Sequence, residues 1–97
     1  MTPDAAEALL EALGSKKAGQ SGVWMRGPCP LARWLHKSGK DTNPSFGLMI
    51  EEGSIPHFHC FTCESGSLSH LLQIIEFRNQ QTPGVFHGDL NKAREIV

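Results

Sequence analysis

The sequence predicts a small α+β domain, an antiparallel β-sheet flanked by helices. Three observations carry this: apolar residues recur at helical spacing near both ends of the chain, alternating segments lie in its middle around a Glu-Glu-Gly-Ser turn, and cysteines stand at the ends of those segments. At 97 residues the chain reads as one domain, residues 1–97. A chain of this size buries roughly two-thirds of its unfolded surface, so an internal cross-link would help it.

The elements follow in order. An N-terminal helix is expected over 4–13, with Asp4 and Glu7 at capping-box spacing, Ala6, Leu9, Leu10 and Leu13 on one face, and Gly14 as its stop. "SKKAGQSG" reads as a polar loop. "VWMR" alternates as a short strand, with Val23 and Met25 on one side and Trp24 and Arg26 on the other. "GPCPLARWLHKSGKDTNP" is irregular, with room for a turn or two of helix in "LARWLHK". "SFGLMI" and "IPHFHC" form a hairpin around "EEGS", with Phe46, Leu48 and Ile50 facing one way. The C-terminal helices occupy 67–97. Ser67 caps the first, whose stripe is Leu68, Leu71, Leu72 and Ile75 and which frays near "RNQQTPG". The second starts near Asp89 and is still in register at Val97, so the chain reads as the front of a longer protein.

Net charge is −1, but its distribution is uneven. Between Ala12 and Lys40 stand Lys16, Lys17, Arg26, Arg33, Lys37 and Lys40 with no acid among them, while all ten acids lie outside that segment. One cationic and one anionic face are expected. No apolar run approaches the roughly 18 residues of a membrane span, and the N-terminus lacks a signal-peptide layout, so the expected compartment is the cytoplasm. Thiols stay reduced there, and three cysteines then read as metal ligands rather than as a disulfide with one left over.

A structural zinc ion takes four donors at tetrahedral corners. Cys60 and Cys63 form one knuckle, "CFTC", and Cys29 in "GPCP" supplies a third thiolate from the end of another strand. The fourth donor is expected from His36, in the same loop as Cys29, with His70 as the competitor. His57 and His59 fall on the strand face opposite Cys60. In a straight helix residues 29 and 36 would lie about 10.5 Å apart, so the loop must fold back. A redox dithiol is the weaker reading, because no βαβ pattern surrounds the pair. A catalytic zinc is weaker too, because no histidine and glutamate stand at the spacing of a hydrolytic site. The zinc is expected to be single and structural.

The segments "CP", "NPSFGLMI" and "HFHCFTCESGSLSHLL" resemble the N-terminal zinc-binding domain of DnaG-type DNA primases, phage and mobile-element versions included. That family has a Cys-Pro start, a Thr-Pro-Ser-Phe segment, an aromatic-His-Cys-Phe-x-Cys knuckle and a glycine-led helix. Here these correspond to Cys29-Pro30, Asn43 to Phe46, Phe58 to Cys63, and Gly66 to Leu72. The family's usual Cys-x2-His is here Cys-x6-His, which implies an inserted turn around "ARWLH". The resemblance implies a zinc ribbon, residues 22–63, with ligands Cys29, His36, Cys60 and Cys63. It further implies binding of single-stranded DNA template, a part in choosing the initiation site for RNA primers, and no catalytic residues within this segment. The implied partners are a primase catalytic domain, in the same chain or in trans, and a replicative helicase. Basic and aromatic residues interleave at Trp24, Arg26, Arg33, Trp34, Lys37 and Lys40, as a single-strand platform requires. For Trp24 and Trp34, packing against the helices is the competing role. The alternative function is a stand-alone zinc ribbon that docks another replication or transcription protein.

Overall fold

The computed structural model describes residues 1–97. The first helix, α1, runs Pro3–Ala12, one residue earlier than its apolar spacing implied. Its cap is Thr2 rather than the Asp4–Glu7 pair: the Thr2 hydroxyl accepts from the Ala5 amide at 3.1 Å. Pro3 decides this, because proline is preorganised for the first helical position and its missing N–H is one the helix would leave unpaired. The other end is a Schellman turn. The Gly14 amide donates to the Glu11 carbonyl at 3.0 Å and the Ser15 amide to Leu10 at 2.9 Å, with Gly14 at φ 78°.

Five strands follow, β1 (Gly19–Ser21), β2 (Trp24–Gly27), β3 (Phe46–Met49), β4 (His57–Cys60) and β5 (Ser65–Ser67), paired in that spatial order and antiparallel throughout. The predicted α+β class is the one observed. The sheet is wider than expected, because "SKKAGQSG" contributes β1 and the residues after Cys63 contribute β5. It therefore extends beyond 22–63 on both sides. The long β2–β3 connection carries a one-turn helix, α2 (Ala32–Leu35).

Met25, Phe46, Leu48 and Phe58 point to one face and are fully buried. Helix α3 (Leu68–Gln81) lays Leu68, Leu71, Leu72 and Ile75 on that face, and α1 adds Ala6, Leu9, Leu10 and Leu13. The Ser67 hydroxyl caps α3 through the His70 amide at 3.1 Å, and α3 stays helical through "RNQQ". The last helix, α4 (Leu90–Ile96), is capped by Asp89 and buries Ala93 between α1 and α3. The helices thus cover the inner face and leave the outer face, with Trp24, Arg26, Gly47, His57 and His59, open. No helix is long and apolar enough to cross a membrane.

Candidate metal centre and sheet face

Local structure brings the donors together from three directions. β2 ends at Gly27, and Pro28 and Pro30 bracket Cys29 so that no helix can run through it. The chain then makes the single turn of α2 and leaves it at His36, whose backbone is extended at φ −85°, ψ 140°. That break folds the Cys29–His36 loop back on itself, as the spacing required. Cys60 ends β4, and the knuckle turns under the Cys60 amide, which donates to the Glu64 carbonyl at 2.8 Å.

The ligand atoms of Cys29, His36, Cys60 and Cys63 all lie within 4.8 Å of one another. Cys29 Sγ is 3.7 Å from Cys63 Sγ, and Cys60 Sγ is 3.3 Å from His36 Nε2. A tetrahedral ion with metal–sulfur bonds of about 2.3 Å and metal–nitrogen bonds of about 2.05 Å sets those edges at about 3.8 and 3.6 Å. The four donors therefore fit one ion. No disulfide joins the cysteines. His36 is only 8 % exposed. His70, the competing donor, stays outside the cluster, with Nε2 3.8 Å from Glu64 Oε1.

The surroundings favour thiolate at one position in particular. Burial pushes the Cys60 thiol up, but the Ser45 hydroxyl, the Thr62 and Cys63 amides and the His36 ring outweigh it and bring it down to about 6. Burial pushes Cys29 far above the usual thiol range, with Cys63 and Cys60 adding to the rise. Cys63 is pushed up to about 11, by burial first and then by its contact with Cys60. Two residues that the spacing of cysteines and histidines does not reveal brace the cluster. Asp41 Oδ2 accepts from the Cys29 amide at 2.9 Å and from the Ser45 amide and hydroxyl, each at 3.0 Å; the same hydroxyl lies 3.3 Å from Cys60 Sγ.

The six basic and aromatic residues singled out in the sequence fall in separate places. Trp24 and Arg26 lie on the outer sheet face. The Trp24 ring leans over Gly47, where a side chain would meet it at 3.1 Å, and packs edge-on against His57 at 5.4 Å between centroids. Arg26 donates to the Pro44 carbonyl at 2.6 Å and holds its guanidinium 5.7 Å from the Phe61 ring centroid. Arg33 and Trp34 turn instead to the C-terminal segment. Arg33 donates to the Val85 carbonyl, and Trp34 Nε1 donates to the Thr82 hydroxyl at 2.9 Å. Lys37 and Lys40 are exposed beside His36, on a polar shelf shared with Asn43 and Thr62.

Register adds three residues to the outer face. Gly47 pairs with Arg26 on one side and His59 on the other, so His57, His59 and Phe61 come alongside Trp24. His59 lies 4.7 Å from Phe61 and 6.3 Å from Trp24, centroid to centroid. His57 Nδ1 is 2.9 Å from the Ile55 carbonyl, which only accepts; Nδ1 of the neutral ring therefore carries the proton. Together these residues line a groove of about 630 Å³, within the range of about 300–1,000 Å³ typical of small-ligand clefts. Strand alternation already places His57 and His59 opposite Cys60; the strand order was the missing signal. No protein-family model, curated protein or solved structure matches this chain.

Proposed function

We propose that this chain is a zinc-stabilised domain that binds single-stranded DNA template, of the kind that helps a replicative primase select where RNA primers begin. The observation that supports it most is the open outer face of the sheet, where Trp24, His57, His59 and Phe61 form a run of ring contacts beside the Arg26 guanidinium. Rings of this kind stack on unpaired bases whatever their sequence, and cations at the margin take the phosphates. Phe61 is 76 % exposed, so its ring is accessible to a stacked base. Three thiolates and an imidazole are a donor set that favours zinc, and four protein donors leave no open position for catalysis. The ion would hold the Phe61 knuckle against the sheet. Primer synthesis would then belong to a polymerase domain in the same chain or in trans, with a replicative helicase as a further partner.

A protein-docking zinc ribbon is the second reading. It is favoured by Phe77, 56 % exposed on α3 beside Ile74 and Leu35. Fluorescence anisotropy of the zinc-loaded chain with labelled single strands separates the two. Template binding predicts an affinity that falls with salt, with a slope of roughly −0.7 per phosphate contact. Phe61→Ala should weaken it by about 1–3 kcal/mol, roughly 5- to 150-fold, and Arg26→Ala should lower both affinity and salt slope. Equal binding by wild type and both variants, or no binding by any, moves the assignment to protein docking. One zinc per chain, lost in His36→Ala, is the accompanying expectation.

A further inference from the structure

We propose that Asp41 and Ser45 are positioning residues of the metal centre, a clasp that closes the Cys29–His36 loop onto the Cys60–Cys63 knuckle and sets both the affinity of the site and the electron density on Cys60. The inference rests on the metal reading above and concerns residues that never touch the ion.

The loop between Cys29 and Ser45 carries His36 near its middle. A loop of that length must lose considerable entropy to hold one imidazole nitrogen in place. A single atom, Asp41 Oδ2, gathers its two ends, accepting from the Cys29 amide at 2.9 Å and the Ser45 amide at 3.0 Å. Ser45 extends the clasp to the other arm. Its carbonyl accepts from the Phe61 amide at 3.1 Å, inside the knuckle, and its hydroxyl lies 3.3 Å from Cys60 Sγ. Both arms of the site are thereby fastened through one carboxylate and one serine.

The Ser45 hydroxyl has one proton and two neighbours that can accept it, the Asp41 carboxylate at 3.0 Å and the Cys60 sulfur at 3.3 Å. With a metal-bound thiolate, the hydroxyl can turn to sulfur while the two amides still satisfy Asp41. A hydrogen bond to the thiolate withdraws electron density from sulfur and stabilises its lone pairs, the outer-sphere effect by which such partners tune a metal.

The test uses the full chain. Zinc affinity is measured by competition with a chromophoric chelator, and cobalt(II) replaces zinc as a spectroscopic probe. Asp41→Ala should raise the zinc Kd about 10–100-fold, the range typical of such outer partners, and Asp41→Asn, which keeps an accepting oxygen, should recover most of the loss. Ser45→Ala leaves both amide bonds to Asp41 intact, so it keeps the question answerable if Asp41→Ala fails to fold. It should raise the Kd and move the sulfur-to-cobalt charge-transfer band to lower energy, with Ser45→Thr restoring both. Wild-type affinity and an unshifted band in Ser45→Ala overturn the clasp while leaving the metal centre standing. A wild-type chain that binds neither ion overturns both.

Discussion

At the scale of single residues, the three thiols are unequal, and the inequality has a measurable consequence. With Cys60 lowered to about 6, Cys63 raised to about 11 and Cys29 raised further, the surroundings favour thiolate at Cys60 and thiol at the other two, so the metal-free chain at neutral pH is expected to carry one thiolate. An ion that binds three thiolates must then displace two thiol protons. Protons compete with the metal, so affinity rises with pH and is lost in acid. From about pH 7 to 9 the apparent zinc association constant should climb by roughly two log units per pH unit from the thiols, and more steeply below about pH 6, where Cys60 also takes a proton. Calorimetric titration in buffers of different ionisation enthalpy counts the protons directly; a single proton released at pH 8 would mean that Cys29 or Cys63 is already ionised before the metal arrives. The His36 position has a simpler logic. Burial and the break after α2 aim it at Cys60, so its identity as a donor depends on backbone geometry more than on the surrounding charges.

At the scale of elements, packing fixes what a strand can tolerate. A Cβ on Gly27, the last residue of β2, would stand 2.5 Å from the Lys16 carbonyl oxygen, a backbone atom that cannot swing aside, and 3.5 Å from Leu10 Cδ1. Gly19, in β1, has nothing within 4 Å of the same position. Gly27→Ala should therefore destabilise the fold by about 2 kcal/mol or more, by forcing β2 away from the α1–β1 linker, while Gly19→Ala should change it by less than about 0.5 kcal/mol. Chemical denaturation of the pair checks this, and equal midpoints would show that the linker yields. The same contrast explains which elements were legible beforehand. β2, β3, β4, α1, α3 and α4 each carry apolar residues at the period of their structure, because each has one face on the core. β1 and β5 are Gly-Gln-Ser and Ser-Gly-Ser, with no side chain that reports burial; they form because the outer edges of β2 and β4 have unpaired amides and carbonyls to satisfy. The candidate site divides in the same way. Cysteine spacing exposes the ligands, whereas the outer-face cluster draws on Trp24, His57, His59 and Phe61, which only the register of three adjacent strands brings side by side. Asp41 and Ser45 left no signal beyond being polar loop residues.

At the scale of the whole molecule, an apolar core and a candidate metal centre adjoin, and Cys29 and Cys60 belong to both. In the core the largest fully buried side chains are Phe46, Phe58, Leu9, Leu10, Leu13, Met25, Leu31, Leu48, Leu71 and Ile75. The accessible surface of 5549 Å² is close to the roughly 5,500 Å² expected for a folded monomer of this mass, so the core already closes the molecule to a normal degree. The four-donor cluster joins the ends of β2, α2 and β4 at one margin of the sheet. A zinc finger without a core unfolds when its metal is removed; this chain should not. If the proposed site holds zinc, free zinc at a thousand times its Kd should stabilise the native state by about 4 kcal/mol, equivalent to roughly 15–30 °C in Tm for a domain of this size. Chelation should remove that increment and no more. Far-UV circular dichroism should keep the signal of α1 and α3, while amide exchange protection should fall in residues 28–45 and 60–64 and persist in Met25, Leu48, Phe58, Leu71 and Ile75. Complete loss of helix on adding chelator would mean that the core cannot stand without the ion, and that the two systems fold as one.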